Sequence, residues 1–184
     1  MTVGTPAVFL DRDGVINRRR LDHVKSWAEF EFLPGSLEAL AELRRNGLRV
    51  VVITNQSVVG RGFLTQDELT AIHCQMTSLI EAAGGAIERI YICTHIPSAN
   101  CSCRKPATEL FLRAGRELDI KLQGSIMIGD SKSDVEAAHA IGSIAILVSE
   151  NGDATSESIP VARDLAQAVS LIPELQRKLE ASRC

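Results

Sequence analysis

VFLDRDGVIN, residues 8–17, places two aspartates directly after a short apolar run. An apolar run of this length without a polar break is typical of a buried strand in a parallel sheet. Side chains that follow such a strand project into the crevice where open α/β sheets bind their ligands. The stretch therefore predicts a ligand site at the carboxyl end of the first strand, with Asp11 and Asp13 beside it.

Two neighbouring carboxylates repel each other unless a cation binds between them or one of them keeps a proton. Mg²⁺ suits a site made of a few carboxylates together with substrate phosphate. One aspartate could then attack phosphorus, because aspartyl phosphates are established covalent intermediates, while the other transfers protons. The alternative for these residues alone is an ordinary turn rich in Asp and Gly. Residues at later strand ends decide between the two interpretations.

The rest of the chain repeats the pattern of an apolar run, a polar segment and an amphipathic helix. Further strands are predicted at 50–53, 90–92, 126–128 and 144–148, and a last helix at 165–179. Thr65 and Glu68 form a capping-box pattern before a helix in which His73 is expected to be structural. The alternation predicts an α/β, Rossmann-like parallel sheet with helices on both faces, so that the strand ends share one side.

Composition limits the class of protein. The 184 residues fit a single domain over 1–184, and the net charge of −3 argues against a partner nucleic acid or membrane. The sequence shows neither an apolar stretch of membrane-spanning length nor the pattern of a signal peptide. We therefore expect a cytoplasmic, monomeric protein that acts on a small molecule.

A separate metal site is predicted in the loop 93–106. Cys93, His95, Cys101 and Cys103 offer three sulfurs and one imidazole, which make a closed tetrahedral set for structural Zn²⁺. The loop has few apolar side chains, so it needs such a staple, and no position remains for a catalytic water. The alternative is a group of scattered reduced cysteines. Cys74 and Cys184 fall on a helix face and at the terminus, and we assign them no function.

Four motifs in order resemble those of the haloacid-dehalogenase-like phosphohydrolases, over residues 8–148. They are D-x-D-G from Asp11, T-N-Q-S from Thr54, R-K-P from Arg104 and G-D-x-x-x-D from Gly129. The resemblance implies that Asp11 is the nucleophile and Asp13 the general acid and base. It also implies that Thr54 and Lys105 contact the transferring phosphoryl group, and that Asp11, Asp130 and the Asp13 carbonyl hold catalytic Mg²⁺. Asp134 is expected to lie outside that ligand set.

The cysteine loop narrows the resemblance to the branch that contains the D,D-heptose 1,7-bisphosphate and histidinol-phosphate phosphatases. The motifs look closer to the heptose enzymes, which implies hydrolysis of the 7-phosphate of D-glycero-D-manno-heptose 1,7-bisphosphate through an aspartyl phosphate. Histidinol phosphate or another small phosphate ester is the alternative substrate. A catalytically idle, zinc-stapled binding module is the non-enzymatic alternative.

Short connections between the motifs leave no room for a separate cap domain, so we expect loops to recognise the substrate. Guanidinium groups can take a second phosphate bidentately, whereas the alternative for exposed arginines is a solvated basic loop. The expected substrate-binding residues are Arg18, Arg19, Arg20, Asn55, Gln56, Ser57 and Arg104.

Overall fold

A parallel six-stranded sheet forms the centre of the computed structural model, which describes residues 4–150 and 159–181. The strands are β1 (Val8–Leu10), β2 (Val50–Asn55), β3 (Arg89–Cys93), β4 (Ile126–Gly129), β5 (Ile144–Val148) and β6 (Val161–Ala162). Their order is β3-β2-β1-β4-β5-β6, and all neighbouring pairs are parallel. The predicted α/β sheet is confirmed. The sequence did not predict β6, because a strand of two residues is too short to show an apolar pattern.

Six α-helices connect or flank these strands in the described part of the chain. They are α1 (Ser36–Arg45), α2 (Ser57–Gly60), α3 (Gln66–Ala82), α4 (Glu109–Leu118), α5 (Lys132–Ala140) and α6 (Leu165–Ala181). Thr65 caps α3 with the predicted capping box, in which Glu68 accepts from the Thr65 amide at 2.8 Å. None of these helices is long and apolar enough to cross a membrane.

Alternate side chains of the strands enter two separate cores. Val8 and Leu10 pack with α1, α3 and α6, whereas Phe9 points to the opposite face and packs with α4 and α5. The ring centroids of Phe9 and Phe111 lie 5.2 Å apart in an edge-to-face contact. Helices thus cover both faces of the sheet, as predicted.

The sheet order reverses between β1 and β4. The chain runs outward from β1 through β2 to β3, and then returns to the other side of β1 at β4. In open α/β sheets the crevice at this reversal, outside the carboxyl ends of the strands, is the usual ligand site. Asp11 follows β1 and Asp130 follows β4, so the fold brings both carboxylates to that crevice.

Candidate active site

Acidic side chains from the two strands at the reversal meet in one cavity. Carboxylate oxygens of Asp11, Asp130 and Asp134 lie within 4.8 Å of one another. The cavity is lined by Asp11, Asp13, Arg19, Arg20, Leu21, His23, Val24, Asn55, Ser57, Arg104, Lys105, Asp130, Ser131, Ser133 and Asp134. Neighbouring parallel strands end at the same edge, which is why residues distant in sequence share this crevice.

Lys105 is buried and neutralises part of this negative charge. Its Nζ donates to Asp11 Oδ1 at 2.8 Å and to the Ile53 carbonyl at 2.6 Å, and it lies 2.6 Å from Asp134 Oδ1. Burial alone would lower the pKa of Lys105, but the carboxylates of Asp11 and Asp134 raise it above its usual value. The amine is therefore held as a cation against the end of β1.

Burial raises the pKa of Asp11 to about 7, although Lys105 opposes this shift. The negative charges of Asp134, Asp13 and Asp130 raise it further. Additional positive charge in the crevice would stabilise the ionised form of Asp11, because an opposite charge nearby favours the charged form of a carboxyl group.

Asp13 has a more favourable set of partners. Arg12 Nη2 donates to both carboxylate oxygens, at 2.7 and 2.9 Å, and the amides of Asn17 and Gln56 donate at 2.9 and 2.8 Å. Burial raises the pKa of Asp13, but the charge of Arg12 and these hydrogen bonds outweigh it and lower the pKa. At rest Asp13 is therefore an ionised carboxylate in a fixed orientation.

The T-N-Q-S segment after β2 connects the catalytic candidates to one another. Gln56 Nε2, which donates to Asp13, also lies 2.9 Å from Thr54 Oγ1. The Asn55 side chain accepts from the Lys105 amide at 3.1 Å and donates to the Lys105 carbonyl at 3.2 Å. Asn55 and Gln56 thus position the groups that would contact phosphate, while Ser57 lines the cavity.

Of the four arginines that were expected to bind substrate, three line the cavity and one does not. Arg19, Arg20 and Arg104 line the cavity, where Arg19 Nη1 lies 3.0 Å from Asp130 Oδ2. Arg18 pairs with Glu31 at 3.0 Å on the surface and is not among the residues that line this cavity.

Sequence reasoning missed the support behind Asp13. Arg12 is completely buried, and its Nη1 lies 3.1 Å from Nε2 of His73, which is 5% exposed. Burial, and then the charge of Arg12, lower the pKa of His73 to about 3, so the imidazole is neutral. The only available signal was an arginine placed between two aspartates at a strand end.

Cys93, His95, Cys101 and Cys103 come together at the end of β3. The sulfurs lie 3.2 to 3.6 Å apart, and His95 Nδ1 lies 3.2 Å from Cys103 Sγ. A tetrahedral Zn²⁺ with Zn–S bonds of about 2.3 Å needs sulfurs about 3.8 Å apart, so this donor set fits the ion closely. The backbone N–H of Gln56 donates to the Cys93 carbonyl at 2.7 Å, and this hydrogen bond joins the cysteine loop to the T-N-Q-S segment.

The acidic cluster also fits a divalent cation. Asp134 Oδ2 accepts from the amide and hydroxyl of Ser131 at 3.1 and 2.6 Å, and its Oδ1 faces Lys105. Both Asp134 oxygens are therefore engaged, which leaves Asp11 and Asp130 as the better candidates for ligands. Gly14, with φ +83°, leaves room for Asp130, because a Cβ at Gly14 would collide with the Asp130 carboxylate.

Comparison with known proteins decides the family. The model of the haloacid dehalogenase-like hydrolases matches residues 5–142. The chain belongs to the haloacid dehalogenase-like hydrolase family. The expectation of a phosphoric monoester hydrolase related to the heptose bisphosphate phosphatases is thereby confirmed, because the relatives agree with it.

Two relatives and one solved structure show this agreement. The chain is 39% identical over 141 residues to the D-glycero-beta-D-manno-heptose-1,7-bisphosphate 7-phosphatase of Pseudomonas putida, covering 77% of this chain and 81% of the relative. It is 41% identical over 140 residues to the corresponding alpha-heptose enzyme of Mycobacterium tuberculosis, covering 75% and 74%. The D,D-heptose 1,7-bisphosphate phosphatase of B. bronchiseptica, solved with magnesium and phosphate, superposes with a TM-score of 0.85 at 34% identity, covering 92% and 99%.

We predict that Gly14→Ala strongly impairs phosphate release, whereas Gly47→Ala does not. Both glycines have positive φ, +83° and +68°, so both variants should lose about 1 to 2 kcal/mol of stability from left-handed strain. Only at Gly14 does the added Cβ displace Asp130. Urea unfolding and the Mg²⁺ concentration for half-maximal rate should be measured for both. An unchanged Mg²⁺ requirement in Gly14→Ala would contradict the inference that the missing Cβ of Gly14 leaves room for Asp130 as a metal ligand.

Proposed function

We propose that this chain hydrolyses the 7-phosphate of D-glycero-D-manno-heptose 1,7-bisphosphate through a phosphorylated Asp11. The observation that carries the proposal is the contact of Asp11 with the buried cation Lys105 at 2.8 Å, beside an Asp13 oriented by Arg12. The names of the relatives support the heptose bisphosphate as substrate. Because these names include both alpha and beta anomers, the proposal covers the 7-phosphate and leaves the anomer to the experiment.

In the first step, a carboxylate oxygen of Asp11 forms a bond to phosphorus as the bond from phosphorus to the sugar oxygen breaks. A protonated Asp13 gives its proton to that leaving oxygen. The charge of an incoming phosphate dianion would raise the low pKa of Asp13 and so favour its protonation. Lys105 and the Thr54 hydroxyl would stabilise the phosphoryl oxygens, because this reaction depends on positioning and positive charge.

In the second step, Asp13 takes a proton from water as the water oxygen attacks phosphorus. The bond from phosphorus to Asp11 breaks, and inorganic phosphate leaves. Arg12, Asn17 and Gln56 favour the ionised form of Asp13, which is the form that accepts this proton. The same side chain thus serves as acid and then as base.

Two metal ions complete the proposal. Mg²⁺ would be held by Asp11, Asp130 and the Asp13 carbonyl, and it would supply positive charge to the phosphoryl oxygens. Zn²⁺ would be held by the cysteine and histidine cluster and would have a structural role, because its ligand set is closed. That loop carries Arg104 and Lys105, so its order matters for the position of the catalytic lysine.

The direct test is phosphate release from a panel of esters. It should contain both heptose 1,7-bisphosphate anomers, heptose 7-phosphate and histidinol phosphate. We expect the highest kcat/KM for a heptose bisphosphate, and we expect Asp11→Asn to retain less than about 1% of the rate because an amide cannot act as the nucleophile. Circular dichroism should show that the variant is folded. A preference for histidinol phosphate, or turnover by Asp11→Asn, would contradict the proposal.

The distal phosphate should be recognised by the arginines that line the cavity. Arg20→Ala and Arg104→Ala should each lower kcat/KM for the bisphosphate by about 10- to 100-fold, since a charge-assisted hydrogen bond contributes about 1.5 to 3 kcal/mol. Heptose 7-phosphate, which lacks the distal group, should be affected much less. Arg116→Ala, on the exposed surface of α4, is the matched control. Equal losses on both substrates would remove the support for distal-phosphate recognition.

The two metals should differ in how easily they are removed. Dialysis should remove Mg²⁺ and abolish activity until the ion is returned, whereas about one zinc per chain should remain because thiolates hold it in a closed shell. Elemental analysis before and after dialysis measures both ions. Cys101→Ser combined with Cys103→Ser should lose the zinc, and an unchanged zinc content would refute the cysteine cluster as its site.

A further inference from the structure

Arg12 links the general acid candidate to a histidine on another element. Its Nη2 forms the two bonds to Asp13, and its Nη1 lies 3.1 Å from Nε2 of His73 on α3. Arg12 is 0% exposed and His73 is 5% exposed, so water does not substitute freely for either partner. The three side chains form a continuous buried chain from α3 to the crevice.

Chemistry fixes the direction of the contact between Arg12 and His73. A guanidinium has donors only, so Nε2 of His73 must be the acceptor, and the ring proton is on Nδ1. The guanidinium is planar, so its hydrogen bond to His73 also sets the plane in which the other nitrogen meets Asp13. The Nε atom of Arg12 has no hydrogen-bond partner among residues 4–150 and 159–181, which leaves its orientation to the two terminal nitrogens.

An aromatic contact supports the same arrangement from another side. The Arg12 guanidinium carbon lies 5.9 Å from the centroid of the Phe30 ring, and Phe30 is stacked on Trp27 at 4.8 Å. This contact restricts the position of the guanidinium but does not set its rotation in the ring plane. The hydrogen bond to His73 supplies that missing restraint.

We propose that His73 is a positioning residue for proton transfer, which acts on Asp13 through Arg12. The proposal rests on the proposed role of Asp13 as general acid and goes beyond it. His73 accepts from Arg12 Nη1 and so fixes the guanidinium, and Nη2 of the fixed guanidinium holds both oxygens of the Asp13 carboxyl group toward the leaving oxygen. Removing the acceptor would leave the substrate phosphate bound but the proton donor misaligned.

The experiment compares substrates that differ in their need for a proton. The value of kcat/KM reports the steps up to the departure of the alcohol, in which a sugar oxygen needs the Asp13 proton. The 4-nitrophenolate of 4-nitrophenyl phosphate leaves without one. His73→Leu should lower kcat/KM by about 10- to 100-fold on the heptose bisphosphate, because a misplacement of about 1 Å can cost about 100-fold. It should change the aryl phosphate value by less than about threefold, since only proton transfer is impaired.

Three further variants make the comparison specific. In His73→Gln the side-chain oxygen can stand where Nε2 stood, so it should restore most of the activity on the heptose bisphosphate. Ile80→Val, also buried on α3, weakens the same packing without touching Arg12 and should change neither substrate's kcat/KM. His73→Met replaces His73→Leu if the latter fails to fold, because methionine is flexible and similar in size.

The outcomes distinguish the proposed role of His73 from the proposed role of Asp13 as general acid. Asp13→Asn should show the same substrate dependence as His73→Leu, and more strongly. Equal losses for Asp13→Asn on both substrates would overturn the role of Asp13 and the role of His73 with it. A selective loss in Asp13→Asn together with an equal loss, or no loss, in His73→Leu would overturn the role of His73 alone. Failure of His73→Gln to recover would do the same.

Discussion

Lys105 between Asp11 and Asp134 is the contact on which the site depends. Parallel strands that end together bring carboxylates together, and the free energy of that arrangement is unfavourable without a cation. The lysine lies 2.8 Å from Asp11 and 2.6 Å from Asp134, and it is almost fully buried. Removing one member of a buried ion pair leaves the other charge uncompensated, so each of the three residues requires the others.

Several other features serve to place this lysine. The Asn55 side chain bonds both the backbone N–H and the carbonyl of Lys105. Asp134 lies in the first turn of α5 and is fixed by the backbone N–H of Ser131, the residue before that helix. Gly129 is necessary because a Cβ there would collide with Asp134. These features act together to hold the Lys105 ammonium group at the end of β1. They are the sheet reversal, the T-N-Q-S segment and the cysteine loop.

The sequence was most informative where an apolar run and a motif coincide. The starts of β1, β2, β4 and β5 were predicted because buried parallel strands leave a clear apolar signal. The predicted end of β5 was also correct, whereas β2 and β4 extend two residues and one residue further than predicted, into the polar residues of their motifs. The partnership of Arg12 with His73 was not predictable, because the two are 61 positions apart and a charged residue is rarely buried. The Arg18 to Arg20 loop has no period, so the sequence could not indicate which guanidiniums face the cavity.

The cysteine cluster and the phosphate crevice share backbone hydrogen bonds. The backbone N–H of Gln56 donates to the Cys93 carbonyl at 2.7 Å, and the backbone N–H of Gly60 donates to the Thr94 carbonyl at 3.0 Å. On the other side of the cluster, Lys105 follows Cys103 by two residues. Cys93 is buried and Cys101 and Cys103 are partly buried, so a change in any of these side chains would change the geometry of this loop. Gln56, which contacts Asp13, is hydrogen-bonded to this loop, and Lys105, which contacts Asp11, is part of it. Whatever holds or releases the cysteine cluster would thus act on the phosphatase crevice through the backbone, at a distance from the substrate and without competing with it.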